Sequence, residues 1–188
     1  MSSVPVFAYG SLLNLTSFEA TIGRTYKNPR LICVVEGWRR RWNTAMPNEG
    51  FYEDARDGRL EPERIIYANV CPCSRAHVNG CLYFVSDSEL QAIDEREWTY
   101  DRITVTWRSD GPRTSTGEAC MYVAKPEWIS TPDRPRTWAA IRQSYIETIQ
   151  HGVVSLGDAC QADYARTTDP IPRELVLRDK IDLFRHLG

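Results

Sequence analysis

A glycine-serine turn near the start of the chain is the first place where the sequence concentrates groups that could bind a substrate. Residues 4–9 form an apolar run that predicts a buried strand, which Gly10 and Ser11 end. Such a turn leaves several backbone N–H groups in one concavity, which suits a carboxylate or a developing oxyanion. The candidate substrate-binding residues are Tyr9, Gly10, Ser11, Leu12 and Leu13. Turns of this kind are common, so the motif by itself is weak.

A second candidate is a carboxylate between a predicted short helix and a predicted strand. Asp94 and Glu97 are three residues apart and share one helix face. Glu97 lies at the helix C-terminus, where the helix dipole disfavours negative charge, and beside the apolar Trp98. Both effects raise the pKa of a carboxyl group, as a general base working near neutral pH requires. The alternative is a solvated Glu97 that pairs with Arg96 or Arg102.

Cysteine and histidine residues between positions 71 and 81 raise the question of a metal site. Cys71 and Cys73 are separated by one residue, His77 and Cys81 follow, and no distant cysteine pair completes a zinc pattern. The sequence also has no phosphate-binding loop and no dinucleotide fingerprint. We therefore predict neither a metal nor a cofactor, and we expect the six cysteines to be reduced thiols.

Three consecutive arginines, at positions 39–41, are flanked by two tryptophans. This arrangement could stack bases and contact phosphates. In a strand, however, side chains alternate between faces, so only Arg39 and Arg41 would lie together. A solvated face is the favoured interpretation.

Length and composition indicate one folded domain over residues 1–188, with residues 170–188 set apart by two prolines as a candidate C-terminal arm. The net charge of −2 argues against a nucleic-acid backbone as the main partner. No apolar stretch approaches the roughly 18–20 residues that span a bilayer. Because the first residues do not resemble a signal peptide, we expect a cytoplasmic location. The sequence leaves the oligomeric state open.

Predicted strands dominate the first two thirds of the chain. They cover residues 4–9, 31–35 with a continuation toward 42, 64–70, 78–85, 100–107 and 118–124. In the strand at 100–107, Ile103, Val105 and Trp107 share one face. Residues 43–63 are polar and contain turn signals, which predicts a long loop.

Helices are predicted after residue 85 and toward the end of the chain. Ser86 and Glu89 form a capping-box pattern for a short helix that ends near Glu97. A longer helix is predicted from Pro135, because Trp138, Ile141, Tyr145 and Ile149 recur at spacings of three and four. Another is predicted at 158–166, and residues 174–187 are helix candidates. Strands first and helices last favour an α+β domain with a curled or barrel-like sheet.

Several of these weak motifs occur together and in order, and together they resemble the gamma-glutamylcyclotransferase family. The resemblance rests on the segments 7–13 (FAYGSLL), 37–39 (GWR), 78–83 (VNGCLY) and 93–97 (IDERE), with Tyr100 and Arg102. The segment 145–152 also resembles the helix that follows the barrel in that family. The similarity covers roughly residues 5–165.

The resemblance implies a small mixed β-barrel flanked by helices and an intramolecular reaction that needs no cofactor. The α-amine of a small-molecule gamma-glutamyl substrate would attack its own side-chain carbonyl, releasing 5-oxoproline and a free amine. By this analogy Glu97 is the catalytic acid and base, and backbone N–H groups of residues 9–13 hold the gamma-glutamyl group.

Two departures from the family pattern limit the inference. Trp98 stands where the family usually has glycine, and Leu13-Asn14 differ from the aromatic pattern associated with the glutathione-specific branch. We therefore favour a gamma-glutamyl amine or amino acid over glutathione. The alternatives are a tailoring enzyme that removes a gamma-glutamyl protecting group from a biosynthetic intermediate, a non-catalytic binding domain and a zinc-dependent interaction module. Residues 43–63 are either a lid over the leaving amine or a surface excursion.

Overall fold

The computed structural model describes residues 3–109, 114–130 and 138–182, which contain ten strands and four α-helices. The strands are β1 (Val4–Ala8), β2 (Leu31–Pro47), β3 (Phe51–Ala55), β4 (Gly58–Leu60), β5 (Arg64–Val85), β6 (Tyr100–Ser109), β7 (Ser115–Ala124), β8 (Ala139–Arg142), β9 (Val176–Leu177) and β10 (Lys180–Ile181). The helices are α1 (Leu15–Ile22), α2 (Asp87–Arg96), α3 (Gln143–Val154) and α4 (Asp158–Thr167). Short 3-10 helices occur at Ser11–Leu13, Pro126–Trp128 and Arg173–Leu175.

Five strands close into a barrel. They follow the order β1-β7-β6-β2-β5, and β1 also pairs with β5, so the sheet closes on itself and has no open edge in the barrel. The β1–β7 pair is parallel, whereas the other barrel pairs are antiparallel. Beyond the barrel, β8 and β9 extend the sheet from β5. The predicted α+β class with a small mixed barrel is confirmed.

Apolar residues on alternating positions fill the barrel interior. Val105 and Trp107 of β6 pack there with Phe7 of β1 and Met121 of β7, and Ile103 packs against this cluster. The alternation predicted for this strand is therefore confirmed. A second apolar core lies outside these strands, where residues of α1, α2 and α3 pack against the sheet.

Helix α2 begins with the predicted capping box. The Ser86 hydroxyl accepts from the Glu89 N–H at 3.4 Å, and the Glu89 carboxylate accepts from the Ser86 N–H at 2.8 Å. The helix ends at Arg96, and Glu97 is its C-cap residue. This fixed start and end determine where the Glu97 side chain leaves the helix.

The long loop predicted for residues 43–63 is wrong. This segment contains the end of β2 and the hairpin of β3 and β4, with Gly58 at a φ of +120° beside the turn. The hairpin pairs with β10, and Phe51 packs against Arg142. Its supporting contacts come from the other end of the chain, so local composition could not reveal it. The strands predicted at 64–70 and 78–85 are likewise one continuous strand, β5, which pairs with β2 along most of its length through two register shifts.

The predicted start of the helix after Pro135 is also wrong, although Pro135 itself lies outside the described residues. Ala139–Arg142 form strand β8, which pairs in parallel with β5, and α3 begins only at Gln143. Over so few residues, sheet pairing overrides the helical spacing. The helix predicted at 158–166 is confirmed as α4. The tail forms a 3-10 turn, β9 and β10 instead of a helix up to residue 182, beyond which residues 183–187 lie outside the description.

Candidate functional site

The turn after β1 leaves neighbouring backbone donors without partners. The chain continues from Ala8 into the 3-10 helix Ser11–Leu13, in which the Leu13 N–H donates to the Gly10 carbonyl at 3.0 Å. Within the described part of the chain, the N–H groups of Gly10, Ser11 and Leu12 have no hydrogen-bond acceptor. This is the usual state of the first N–H groups of a helix, and it makes them available to a ligand.

Two helices fix this turn from outside. The Asn14 side chain accepts from the Ser17 N–H at 3.0 Å, which caps α1, and donates to the Thr148 carbonyl of α3 at 3.2 Å. Gly152 of α3 lies so close that a Cβ there would come within 2.5 Å of the Asn14 nitrogen and the Leu13 carbonyl carbon. The position of the turn therefore depends on direct backbone contact with α3.

Arg40 supports the turn from beneath and is fully buried. Its Nε donates to the Tyr9 carbonyl at 2.9 Å, and its Nη1 donates to the Thr168 hydroxyl at 2.7 Å. The guanidinium also lies 3.8 Å from the ring centre of Tyr164. Burial lowers the pKa of Arg40, an effect that the surrounding groups partly oppose. Sequence reasoning missed this role.

The solvated face predicted for residues 39–41 is therefore wrong for Arg40. The alternation itself is right, because Arg39 and Arg41 lie together and both contact the Asp169 carboxylate. Packing of α4 against the opposite face of β2 buries the middle arginine. That packing depends on residues more than 100 positions away, so the local sequence carries no signal for it.

Glu97 projects from the C-terminal end of α2 with only 16% of its side chain exposed. Burial raises the pKa of the Glu97 carboxyl, while Arg96 opposes the shift with its Nε 3.3 Å from Oε1. The solvated alternative is thus wrong as to exposure, although the contact with Arg96 exists. Arg102 instead donates to Asp94 at 2.6 Å, so Asp94 is engaged elsewhere.

A cavity of about 30 Å³ brings the turn and Glu97 together. Tyr9, Gly10, Ser11 and Leu12 line it with Glu97, so the structure assembles most of the candidate residues around one space. Leu13 lies outside this lining, with a fully buried side chain. The cavity has room for a single small group such as a carboxylate or an amide.

Tyrosines form the walls of this cavity and are held by backbone contacts. Tyr100 donates to the Ala68 carbonyl at 2.9 Å, and the Tyr145 oxygen accepts from the Ala68 N–H at 3.2 Å. Tyr9 donates to the Tyr122 carbonyl at 2.6 Å. Burial raises the pKa of both Tyr9 and Tyr100, so these phenols remain neutral at physiological pH. Sequence reasoning did not identify Tyr100, Tyr122 or Tyr145 as site residues.

An outer cleft of about 290 Å³ adjoins the small cavity. The residues that line both spaces are Ser11, Glu97, Tyr100 and Tyr145. Arg96 and Arg142 provide the positive charges on the cleft wall. A ligand whose end group occupies the cavity can therefore extend into the cleft past Glu97.

Arg96 ties Ser11 and Glu97 to α1. Its Nη2 donates to the Ser11 hydroxyl at 2.9 Å and to the Ser17 hydroxyl at 3.1 Å, and its Nη1 donates to the Ser17 carbonyl at 3.0 Å. The same guanidinium contacts Glu97 through Nε. Hydrogen bonds to Ser11 and Ser17 and the ion pair with Glu97 thus hold this side chain in place, so that Arg96 links the turn, α1 and Glu97.

The cysteine and histidine residues considered for zinc are used differently. His77 pairs with the Asp163 carboxylate at 3.0 Å. All six cysteines are free. Within residues 3–109, 114–130 and 138–182, no three His, Cys, Asp or Glu side chains converge as a metal site would require. In the same ranges, none of the helices has the length and apolar character needed to cross a membrane.

The sequence matches the family described as "Gamma-glutamyl cyclotransferase, AIG2-like" over residues 6–140. The chain belongs to this family. The matched range includes the turn at residues 9–13 and Glu97, and it ends before Arg142 and Tyr145. Among curated proteins, none matches the sequence.

Solved structures with the same fold carry related names. A protein named "Gamma-glutamyl cyclotransferase" is 14% identical, with a TM-score of 0.65, and the alignment covers 98% of this chain and 96% of that one. The uncharacterized human protein loc79017 is 14% identical, with a TM-score of 0.66 and coverages of 99% and 97%. A yeast gamma-glutamyl cyclotransferase specific to glutathione is 10% identical, with a TM-score of 0.57 and coverages of 89% and 98%.

At these identities the similarity to the solved structures shows a shared fold and nothing about activity. Membership of the family supports a gamma-glutamyl cyclotransferase-like function with a small-molecule substrate. The substrate itself and the roles of individual residues rest on the geometry of this chain.

Proposed function

We propose that this protein converts a gamma-glutamyl amine or gamma-glutamyl amino acid into 5-oxoproline and a free amine, with Glu97 as the acid and base. One observation carries the proposal: Glu97, with its buried carboxylate, lines the same small cavity as Gly10, Ser11 and Leu12, whose N–H groups have no acceptor among the described residues. A proton acceptor and a set of amide donors are thus adjacent, which is what an amide-cleaving cyclisation needs.

The reaction is an intramolecular aminolysis. The substrate α-nitrogen attacks the side-chain carbonyl carbon, so a new carbon–nitrogen bond closes the five-membered lactam. The bond from that carbon to the leaving nitrogen breaks. Two protons leave the α-ammonium group and both end on the released amine, so no water is consumed. Glu97 accepts a proton from the α-nitrogen and delivers it to the leaving nitrogen.

Burial of Glu97 suits this role. A raised pKa makes the ionised carboxylate a stronger base, and it brings the pKa closer to neutral pH, where one group can accept a proton and later donate it. One positioned general base contributes about 10²- to 10⁴-fold in rate. Arg96 holds the carboxylate and Ser11 in a fixed relation, so the base does not swing away from the cavity.

The amide donors of the turn hold the gamma-glutamyl group and face the developing negative charge. Since the nucleophile and the electrophile belong to one molecule, the protein mainly has to fold the substrate into an attacking conformation. Such orientation contributes up to about 7–11 kcal/mol in favourable intramolecular reactions. A site made of one carboxylate and a few backbone donors is sufficient for this chemistry.

The direct test is a panel of gamma-glutamyl amines, amino acids and glutathione, with 5-oxoproline as the measured product. Glu97→Gln should lower turnover of the best substrate by at least about 10²-fold. Glu95→Gln is the matched control, because Glu95 lies on α2 but is exposed, and its carboxylate accepts a hydrogen bond from Gln91. Full turnover by Glu97→Gln would refute the assignment of the base. Thermal stabilisation by 5-oxoproline without turnover of any substrate would instead indicate a binding domain.

A further inference from the structure

Arg142 is a cation without an anionic partner in the outer cleft. It is the last residue of β8 and the N-cap residue of α3. Its guanidinium lies 3.8 Å from the ring centre of Phe51 and 5.8 Å from that of Tyr67. The Nε atom is buried and has no hydrogen-bond partner, and Arg142 forms no ion pair among the described residues.

The other arginine of the cleft differs from Arg142, because its donors have partners within the protein. Arg96 directs its donors at Ser11, Ser17, Thr21 and Glu97, and is thereby committed to the protein itself. Arg142 has the same five donors, but it is held by ring stacking, which leaves the edge of the guanidinium free. A buried donor without an acceptor costs free energy unless a ligand supplies the acceptor.

The shape of the Arg142 guanidinium indicates which kind of acceptor would bind it. A planar guanidinium fixed by aromatic stacking presents a fork of N–H donors that matches a carboxylate in two parallel hydrogen bonds. The ring contact holds the plane, so little conformational entropy is lost when the anion binds. The β3–β4 hairpin supplies Phe51, which gives residues 43–63 a part in forming this side of the cleft.

We propose that Arg142 binds a carboxylate carried by the leaving amine, so that the preferred substrates are gamma-glutamyl amino acids. The inference rests on the proposed cyclotransferase function. With one end group of the gamma-glutamyl moiety in the small cavity, the scissile amide lies beside Glu97, which lines both the cavity and the cleft. The leaving part then extends into the cleft that Glu97, Tyr145 and Arg142 share. An amino acid places a negative charge on that side of the amide, whereas a neutral amine or a polyamine does not.

The test compares two substrates that differ only at the leaving carboxylate: a gamma-glutamyl amino acid and its C-terminal carboxamide. For the wild-type protein we expect kcat/KM for the carboxylate form to be higher by roughly tenfold to a hundredfold, as expected for a charge-assisted hydrogen-bond pair. Arg142→Met keeps an apolar stem against Phe51 and should reduce the ratio to within about twofold, because kcat/KM falls far more for the carboxylate form than for the carboxamide. Arg142→Lys keeps the charge but not the fork and should give an intermediate ratio.

Arg59→Met is the matched control. Arg59 also stacks on a tyrosine ring, at 3.6 Å from Tyr52, but it lies outside the cleft. Its substitution should leave the substrate ratio at the wild-type value. An unchanged ratio in Arg142→Met would overturn the inference. Equal loss on both substrates would also overturn it, because Arg142 would then serve the gamma-glutamyl group or the fold.

Ligand binding to Glu97→Gln tests the carboxylate site at Arg142 independently of the proposed cyclotransferase activity. In that variant the two ligands can be titrated calorimetrically without turnover. A preference for the carboxylate form that Arg142→Met removes would support the carboxylate site even if no substrate yields 5-oxoproline. Absence of binding, or equal binding of both ligands to folded Glu97→Gln, would overturn the site.

Discussion

The Arg40 guanidinium donates a hydrogen bond to the Tyr9 carbonyl across 2.9 Å, from a fully buried position beneath the turn at residues 9–13. In a planar trans peptide, the carbonyl of one residue and the N–H of the next point in opposite directions. Because the Tyr9 carbonyl points inward to Arg40, the Gly10 N–H points away from Arg40. Arg40 thereby sets the orientation of a donor in the turn from the opposite side of the backbone.

This relationship predicts the effect of Arg40→Met. The substitution leaves the Tyr9 and Asn79 carbonyls without their charged donor, and each such loss costs roughly 1.5–3 kcal/mol. We expect lower stability in urea, together with a kcat/KM for 5-oxoproline formation reduced by about tenfold or more. Arg41→Met is the control, because Arg41 is exposed and its side chain forms an ion pair with Asp169 at the surface.

A destabilised but fully active Arg40→Met would show that Arg40 supports the fold without orienting the turn. The informative measurement is therefore kcat/KM of the folded fraction, at a temperature well below the midpoint of unfolding. Loss of kcat/KM in Arg41→Met to the same extent would also contradict the positioning role.

Because the Glu97 carboxylate is buried, we predict that Glu97→Gln is more stable than the wild type at neutral pH but not at acidic pH. Burial raises the folded-state pKa of Glu97 above the unfolded value of about 4.5, so the folded protein holds this proton more tightly. Its contribution to stability is complete below the unfolded pKa and is lost as the pH rises through the folded pKa. At pH 7 we therefore expect Glu97→Gln to have the higher Tm, by about 2–4 °C for each kcal/mol of relieved desolvation.

The difference in Tm between Glu97→Gln and the wild type should vanish below about pH 4.5, where both side chains are neutral. Calorimetric scans between pH 4 and pH 8 measure it. Glu95→Gln should follow the wild-type curve throughout, since Glu95 is exposed. A lower Tm for Glu97→Gln at pH 7 would mean that the Arg96 contact outweighs the desolvation of the carboxylate.

At Gly152 we expect the usual preference of helices for alanine over glycine to be reversed. In a helix interior, alanine is normally more stable than glycine by about 1 kcal/mol. Here a Cβ would lie 2.5 Å from the backbone of Leu13 and Asn14, so α3 and the turn would have to separate. We expect Gly152→Ala to lower the free energy of unfolding by about 1–3 kcal/mol and to reduce 5-oxoproline formation.

Urea denaturation of Gly152→Ala and of Gln150→Ala makes the comparison, since Gln150 is exposed on the same helix. Gln150→Ala should change stability by less than about 0.5 kcal/mol. Greater stability of Gly152→Ala would show that the backbone contact between α3 and the turn is not as close as described.

Features with a local cause were predictable from the sequence. The capping box of Ser86 and Glu89 spans only four consecutive residues, and the alternation of β6 repeats every two residues. The capping box leads to the site, because α2 ends at Arg96 and Glu97 is its C-cap residue. The helical spacing of Trp138 and Ile141 failed, because pairing of β8 with β5 decides the conformation of those residues.

The candidate site was predictable only in part. Sequence motifs named the turn and Glu97, which line one cavity, because each motif is local and occurs in a family order. Arg96, Tyr145 and Arg142 were not identified as site residues. Arg96 lies 85 residues from its partner Ser11, and Arg142 lies a similar distance in sequence from Phe51, so no spacing rule could connect them.

The sequence by itself determined the elements that have a local cause, the resemblance to the family and the two motifs that meet at the candidate site. The tertiary structure alone decided the solvation of the charges. It buried Arg40 between two better exposed arginines, buried Glu97 beside Arg96, and left Arg142 stacked on Phe51 without an anion. The physical reason is that the residue type decides whether a side chain carries a charge, whereas the hydration and the partners of that charge depend on which distant segments pack over it.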